Sequence, residues 1–476
     1  MEADSRRLPS GKDLISDLPD DILHHILVRL SSTAAAARTS VLSSRWRHIW
    51  ASMPELYLAC DDKAMPVSTP DTIDAALGGC SAPTLRRIEI ELCRANFDLQ
   101  RLAPWLQFAS QRLVGSLYLS MFDSSLSRPK ESSYWGLVLP LCERATDIKI
   151  SADWYRLMLR PPESGSFAAL TDLNICDLHM DGRELERLVS LQCPCLRKLS
   201  VFGHLVAPCD VSITSESIKH LRYHVSDTTK LDICTSELTK ISVNMAKEAY
   251  IAAPKLEKLI WRDYPYDPSR HKFLVTGRHL RRLWVNLSST LLMSKFDSID
   301  ELRLSLFIRE GATGYMNFQK NMDKLPTCQT LWLSVCGYHR ITPSIFYLLE
   351  RCSHIRKLKL QLVSTPPSQI MNPCRASSKC PCHLQGNNTV DNITFDSLKE
   401  LEIWSFNGSV KHEELVLLLL SRCNAEILKR VDITACFYRV PASNTRVCRR
   451  IRRKCSKNTK VEFHVYAQGG RIPFYI

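Results

Sequence analysis

The chain has 476 residues, too many for one compact core, so we expect several domains or an array of repeats. Hydrophobic residues make up 45% of the chain and charged residues 24%, which excludes a largely disordered protein. The net charge of +14 is concentrated near the C-terminus: residues 446–460 hold eight basic and no acidic side chains, but residues 1–60 hold seven of each, which argues against an N-terminal nucleic-acid-binding domain.

Three short helices are predicted near the N-terminus. In "LPDDILHHILVRL", residues 18–30, apolar residues recur at helical spacing, and Pro19 suits the first turn of a helix. Serine and threonine residues that can cap a helix precede the next two segments, "TAAAARTSVL" and "RWRHIWASM", and the second places Trp46, Ile49 and Trp50 on one face. Three helices in about 40 residues lie near the lower size limit for a stable domain, so we expect a partner to share their apolar surface.

A helix-turn-helix DNA-binding domain is the rival interpretation of these three helices. Its third helix would present polar and basic side chains to bases and phosphates. Here the third helix carries two tryptophans and the region has no net positive charge, which argues against DNA. A second alternative stays open, in which the apolar stripe of the first helix packs only within the chain.

The same segment resembles an F-box over about residues 14–53. The resemblance rests on the Leu18-Pro19 start, the apolar stripe of the first helix, the run "TSVLSSRW" and Trp50. It implies a helical module that binds a Skp-family adaptor and, through it, the cullin scaffold of a ubiquitin ligase. The residues expected at the adaptor contact are Leu18, Pro19, Ile22, Leu23, Ile26, Leu27, Leu30, Val41, Leu42, Trp46 and Trp50.

A repeated pattern dominates the middle of the chain. The hexamer L-x-x-L-x-L, with aliphatic substitutes, occurs fourteen times between "LRRIEI" at residue 85 and "LKRVDI" at residue 428. Successive starts up to residue 355 lie 18 to 31 residues apart, which is typical of leucine-rich repeats, although the usual Asn/Cys position is not evident. We therefore predict an α/β fold: an N-terminal three-helix F-box followed by an elongated leucine-rich-repeat solenoid with a parallel sheet on its concave face.

The central x of each hexamer is expected to point away from the core because side chains alternate along a strand. Four neighbouring repeats carry aromatic or basic residues there: Trp284, Arg303, Trp332 and Lys359. We call these four residues the aromatic–basic ridge; tryptophan and arginine are favoured anchors of protein interfaces. We expect the ridge to contact a target with acidic or phosphorylated residues, and a surface without a binding role remains the alternative.

A loop and a second recognisable segment follow the repeats. Residues 365–392 are rich in proline, serine and asparagine and are predicted to form a loop. Their potential zinc ligands are Cys374, Cys380, Cys382 and His383. The spacing of these four is poor, so we predict neither a metal site nor a cofactor. Residues 393–433 are predicted to form a strand, a helix and another strand, and they resemble the FBD region that accompanies F-box and leucine-rich repeats in plant proteins.

The basic run at residues 446–460 has Val447, Ile451 and Cys455 at helical spacing, and the alternating run "VEFHVY" follows it. We predict a helix and a strand that form the last coil of the solenoid, with the basic side chains solvated. The alternative is a nuclear-localisation signal or a nucleic-acid patch.

These observations give a predicted organisation and function. The segments are a flexible tail 1–13, the F-box 14–56, degenerate repeats 57–364, the loop 365–392, an FBD-like continuation of the solenoid 393–433 and a basic helix with a capping strand 434–476. No phosphate-binding loop, zinc-protease helix, dinucleotide turn or nucleophile elbow occurs in the sequence, so no enzyme activity is predicted. The resemblance implies a substrate receptor of an SCF-type ubiquitin ligase.

Two alternatives remain: an interaction scaffold outside a ligase and, less favoured, a nuclear protein associated with nucleic acid. With no signal peptide or long apolar run in the sequence, we expect an intracellular protein of the nucleus or cytoplasm that does not contact membranes.

Overall fold

The computed structural model describes most of the chain, and contacts divide it into two compact units, residues 1–235 and 236–476. The described residues are 15, 18–58, 69–92, 99–122, 134–152, 157–262, 264–275, 280–337, 341–352, 354–362, 380, 393–435, 442–467 and 470–474. Most of the predicted loop at 365–392 lies outside them, and so do Cys374, Cys382 and His383. Cys380 is described and is buried.

Three helices begin the first unit where the sequence predicts them. They are α1 (Asp20–Arg29), α2 (Thr33–Arg38) and α3 (Ser44–Ala51). The Ser32 hydroxyl accepts the backbone N–H of Ala35 at 3.2 Å and so caps α2, as expected for a serine before a helix. A 3-10 turn, Thr39–Val41, leads from α2 towards α3.

The rest of the first unit is a parallel sheet with connecting helices. Its strands are β1 (Glu55–Leu58), β2 (Leu85–Leu92), β3 (Leu113–Met121), β4 (Trp135–Val138), β5 (Asp147–Ala152), β6 (Leu157–Arg160), β7 (Asp172–Met180), β8 (Lys198–Ser215) and β9 (His220–Thr235). Its further helices are α4 (Pro70–Gly79), α5 (Leu102–Arg112) and α6 (Gly182–Arg187). The predicted outward positions of six hexamers lie side by side in the observed register: Glu89, Tyr118, Lys149, Asn174, Ser200 and Arg222.

The second unit continues the same design. Its strands are β10 (Lys240–Asn244), β11 (Glu248–Ala252), β12 (Lys258–Trp261), β13 (His271–Val275), β14 (Arg282–Asn286), β15 (Ser298–Ile308), β16 (Thr327–Gly337), β17 (Lys357–Leu362), β18 (Glu400–Phe406), β19 (Arg430–Ala435), β20 (Lys460–Ala467) and β21 (Gly470–Pro473). Its helices are α7 (Gly311–Asn321), α8 (Ile341–Glu350), α9 (Val410–Arg422) and α10 (Ala442–Lys454). The strands pair in parallel except β20 with β21, which are antiparallel.

Every one of the fourteen hexamers falls on a parallel strand, which confirms the predicted repeat fold. The coils are joined by a recurring pair of hydrogen bonds at the start of the strands. The carbonyl of Thr239 accepts the N–H groups of Glu257 and Lys258, both at 2.9 Å, and the carbonyl of Glu257 accepts those of Arg281 and Arg282 at the same distance. Each coil therefore fixes the register of the next one.

The three N-terminal helices are joined directly to the first coil of the sheet. The buried hydroxyl of Thr33 in α2 accepts the backbone N–H of Tyr57 in β1 at 2.8 Å. Trp50 of α3 packs against the end of α4, where a Cβ added to Gly79 would lie 2.8 Å from the indole ring. A glycine is therefore needed at position 79 for this close approach.

The antiparallel strand β21 was not predicted, and it buries a residue that was expected to point outward. Asp432 on β19 is only 1% exposed, because Arg471 of β21 forms an ion pair with it. Two further groups contact the carboxylate: Arg430 at 3.1 Å and His464 at 3.0 Å. The C-terminal strand is thus held to the sheet by a buried charged cluster.

Replacing Asp432 with alanine should lower the free energy of unfolding by about 3 kcal/mol, because two arginines then lose their buried counter-ion. Equilibrium denaturation of the full chain measures this change. Asp300→Ala is the matched control, since Asp300 pairs with Arg281 at 2.7 Å on the surface and such pairs contribute about 1 kcal/mol or less. Equal losses in the two variants would contradict the stabilising role of the buried cluster.

Candidate protein-interaction surfaces

The apolar stripe of α1 divides into two faces. Leu23 and Leu27 point inward, are at most 1% exposed and form the small core of the three helices with Ala36, Trp46 and Ile49. The predicted adaptor residues Leu23, Leu27 and Trp46 are therefore already covered by this chain.

The outer face of α1 consists of Ile22, Ile26 and Leu30, each between 39% and 45% exposed. These residues are spaced four apart and so share one side of the helix. Each of these three side chains keeps more than a third of its surface accessible in the described part of the chain. The outer face is therefore the part of the stripe that a second protein can reach.

The turn between α2 and α3 exposes two more predicted adaptor residues. Val41 is 86% exposed and Leu42 is 65% exposed, although both are aliphatic. Pro19 is exposed at the start of α1, whereas Leu18 and Trp50 are half-buried and pack against the helical core. The sequence analysis thus assigned these residues to the helical module but did not separate its exposed residues from its core.

Polar side chains hold α1 and α3 together. Arg45 of α3 forms an ion pair with Asp20 at 2.5 Å and donates a hydrogen bond to the carbonyl of Leu18 at 2.6 Å. The imidazole Nε2 of His24 lies 3.1 Å from the carbonyl oxygen of Ile49. These contacts fix the outer face of α1 relative to the turn at Val41.

The two faces of α1 predict opposite effects for neighbouring substitutions. Leu23→Ala should destabilise the helical module by about 3 kcal/mol because it leaves a cavity in its core, whereas Ile22→Ala should cost less than about 1 kcal/mol. Hydrogen–deuterium exchange of residues 20–29 measures the difference as faster exchange in the first variant. Similar exchange in both variants would show that Leu23 does not support the core.

The four residues of the aromatic–basic ridge lie in one row across four neighbouring strands. Trp284 pairs in register with Arg303, Arg303 with Trp332, and Trp332 with Lys359. The Arg303 guanidinium carbon lies 3.8 Å from the centre of the Trp284 ring and 3.6 Å from that of Trp332, and the Lys359 ammonium lies 5.1 Å from Trp332. Each cation therefore stacks on an aromatic ring, and all four side chains are half-buried.

Two residues that the sequence analysis did not single out extend this surface. The Arg262 guanidinium carbon lies 3.9 Å from the centre of the Trp284 ring, and Trp404 stacks beside Trp332 with a centroid distance of 6.5 Å. Both stand two positions after the central x of a hexamer. Because side chains alternate along a strand, they share its outward side, and a search of that second position would have found them.

Positive charge surrounds one end of the ridge. Burial lowers the pKa of the Arg303 guanidinium, and the nearby charge of Arg262 lowers it further. Burial likewise lowers the pKa of Lys258, with additional repulsion from Lys240 and Arg282. The repelling cations lie on or directly after strands β10, β12, β14 and β15, and Glu301 of β15 offsets part of their charge. The remaining excess of cations favours an anionic partner.

The other end of the ridge is neutralised by acidic residues. The Lys359 ammonium lies 3.8 Å from Glu402, and Lys357 binds the same carboxylate at 2.5 Å. Although burial opposes ionisation of Glu402, the hydrogen bond from Lys357 and the charge of Lys359 hold its pKa below the usual value. The charge available to an anionic partner therefore lies towards Arg262 and Arg303.

The C-terminal basic run forms helix α10, as predicted. Val447, Cys448 and Ile451 are buried, whereas the basic side chains of the helix are exposed. Arg450 pairs with Glu413 of α9 at 2.7 Å. Of the described helices, none is both long and apolar enough to cross a bilayer. Of the described residues, no group of three or more His, Cys, Asp or Glu is placed to bind a metal ion.

Two segments of the chain match known protein families. Residues 15–57 match the sequence profile of the F-box domain, and residues 102–285 match the profile "FBD-associated F-box protein At5g56370, LRR repeats". The chain is 30% identical to F-box/LRR-repeat protein 25 of Arabidopsis thaliana over 198 residues, which cover 40% of this chain and 68% of that protein.

Two further Arabidopsis thaliana proteins are similar over longer stretches. F-box protein At5g03100 is 26% identical over 262 residues, covering 51% of this chain and 80% of that protein. F-box/FBD/LRR-repeat protein At5g22700 is 24% identical over 393 residues, covering 78% of this chain and 84% of that protein. In three other F-box/LRR-repeat proteins of this plant the match spans less than half of the relative's length.

Proposed function

The chain belongs to the F-box/LRR-repeat family, and on this basis we propose that it is a substrate-recognition subunit of an SCF-type cullin ubiquitin ligase. In this proposal the F-box binds a Skp-family adaptor and the repeat region binds a target protein. The chain itself performs no catalysis. It brings the target close to the charged ubiquitin and so raises the effective concentration of the reacting groups.

One observation carries the adaptor-binding half of the proposal. An apolar face of α1, formed by Ile22, Ile26 and Leu30, is exposed on a module whose own core is already filled by Leu23 and Leu27. Exposed aliphatic side chains on a small helical module favour a protein partner that removes them from water. We propose that this face, together with Val41 and Leu42, contacts the adaptor.

The buried members of the predicted adaptor set have a different task in this proposal. Leu23, Leu27 and Trp46 hold the three helices together and present the outer face of α1. Leu18, Pro19 and Trp50 lie at the border between the core and the exposed surface. Their contact with the adaptor is therefore proposed to be marginal.

The aromatic–basic ridge is the proposed contact with the target. Its two tryptophans and the arginine stacked between them combine large apolar area with a fixed positive charge. Such pairs lose little side-chain freedom on binding because they are already held in place. The positive charge near Arg262 and Arg303 supports a target with acidic or phosphorylated residues.

Co-expression of the full chain with a plant Skp-family adaptor tests the proposal. We expect the two proteins to co-elute from a sizing column as a one-to-one complex, and addition of the cullin should shift this complex to a larger size. Separate elution of a folded chain, with its helix content intact by circular dichroism, would reject the ligase role and leave the interaction-scaffold alternative.

A further inference from the structure

A cleft of about 540 Å³, lined by both apolar and polar side chains, lies next to the aromatic–basic ridge in the second unit. It is open to solvent and sits at the carboxyl ends of β14, β15 and β16, where Asn286, Ser305 and Ser334 follow one another in register. The carboxyl ends of parallel strands are a common place for ligand sites in α/β proteins. The location does not identify the ligand, but the side chains that line the cleft indicate its chemical class.

The lining of the cleft is rich in hydrogen-bond donors and positively charged. Arg262 and Arg309 stand among hydroxyl and amide side chains, and of the described residues that line the cleft none is acidic. The Ser288 hydroxyl donates a hydrogen bond to the Oδ1 of Asn286 at 2.8 Å, so the Asn286 carbonyl is engaged and its NH₂ group is the part left to bind a ligand. Two guanidinium groups and several neutral donors match a doubly charged anion with several acceptor oxygens.

Arg262 connects the cleft to the ridge. Its guanidinium stacks on Trp284, and the same side chain lines the cleft. In the described structure the Nε–H of Arg262 is buried without a hydrogen-bond acceptor. Stacking on Trp284 therefore orients the guanidinium but leaves this donor without a hydrogen bond. An anion in the cleft can compensate a buried donor of this kind.

Helix α7 keeps Arg309 at the other wall of the cleft. A Cβ at Gly314 would overlap the backbone carbonyl of Arg309, so the helix can pack this closely against the end of β15 only with glycine there. Ser305 also lines the cleft, and its hydroxyl accepts the indole N–H of Trp284 at 3.1 Å. The hydroxyl hydrogen of Ser305 is therefore left to donate elsewhere.

We propose that this cleft binds the phosphate monoester of a phosphorylated serine or threonine on the target protein, while residues flanking that site lie along the aromatic–basic ridge. The proposal rests on the target-binding role proposed for the ridge. A phosphate dianion fits the two arginines in charge, and a carboxylate would leave several of the surrounding donors unused. A peptide-borne phosphate fits because the cleft is open and is continuous with a surface suited to protein contacts.

The test uses the full chain in complex with the Skp-family adaptor. Two degenerate peptide libraries that differ only at a fixed central residue, phosphoserine or serine, are applied to the immobilised complex, and retained peptide is quantified. We expect at least about a tenfold preference for the phosphorylated library, equal to about 1.4 kcal/mol. Arg309→Gln should reduce this preference, and Arg262→Gln with Arg309→Gln should abolish it.

The matched control is Lys295→Gln with Lys429→Gln, which removes two exposed charges of the second unit that do not line the cleft and should keep the preference. Equal retention of both libraries by the unmodified chain would overturn the proposal, as would a preference that survives the double cleft substitution. A phosphorylated library that binds no better than free O-phosphoserine would overturn the assignment to a target protein. Adaptor binding is measured in the same samples, so failure of the cleft proposal is distinguishable from failure of the ligase role.

Discussion

Replacing Ile22 and Ile26 with aspartate should reduce capture of the Skp-family adaptor at least about 100-fold, because each truncated interface anchor typically costs about 2 kcal/mol or more. Both side chains are exposed on the outer face of α1 in the free chain, so the substitution adds charge to a surface that the proposed complex would remove from water. Titration of immobilised adaptor with the purified full chain measures the change in affinity.

Leu191→Asp is the matched control for this experiment, because Leu191 is also an exposed aliphatic residue of the first unit but lies outside the F-box helices. Adaptor affinity should stay unchanged in that variant. Circular dichroism and thermal unfolding establish that the double aspartate variant is folded. Undiminished capture by a folded double variant would mean that the outer face of α1 does not contact the adaptor.

The sequence predicted the apolar stripe of α1 but not which of its residues are buried and which are exposed. Helical spacing identifies Ile22, Leu23, Ile26 and Leu27 as one apolar stripe. The spacing does not show that Leu23 and Leu27 pack against Trp46 and Ile49 of this chain. Nor does it show that Ile22 and Ile26 stay exposed, because both outcomes depend on how the three helices pack. The apolar spacing is the same whether all of these residues pack within the chain or some of them contact a second protein.

The repeat region was more predictable than the F-box surface. Strand propensity and period-two alternation are local properties, and repeats that stay in phase bring equivalent positions into one row. The row containing Trp284, Arg303 and Trp332 follows from that phase and is confirmed by the strand register. The short strands β4, β6, β11 and β13 were missed because their sequences do not follow the L-x-x-L-x-L pattern.

The sequence analysis also could not predict contacts between side chains of different coils. Ser242, Ile260 and Asp432 occupy outward positions yet are buried. Asp432 is covered by β21, an antiparallel strand that breaks the repeat pattern and brings Arg471 onto the carboxylate. The cleft between Arg262 and Arg309 likewise depends on the path of α7, which no hexamer encodes.

The second large effect is expected at the ridge. In a chain that carries Ile22→Asp and Ile26→Asp, bound targets should accumulate because they are no longer delivered to the ligase. Adding Trp284→Ala and Trp332→Ala should reduce that accumulation about 30-fold or more, because the loss of two aromatic anchors also removes both rings that hold the Arg303 guanidinium. Quantitative mass spectrometry of proteins retained by the two chains, with the proteasome inhibited, measures the difference.

Trp135→Ala is the matched control, because Trp135 is a partly exposed tryptophan on β4 of the first unit, away from the ridge. Retention of targets should be unaffected by it. The ridge substitutions lie on the outward side of the sheet, and the core side is formed by residues such as Leu283 and Leu331, which remain buried, so the fold should persist. Unchanged retention by a folded ridge variant would assign target binding to another surface, and the repeat region would then act through residues outside the row of Trp284 and Trp332.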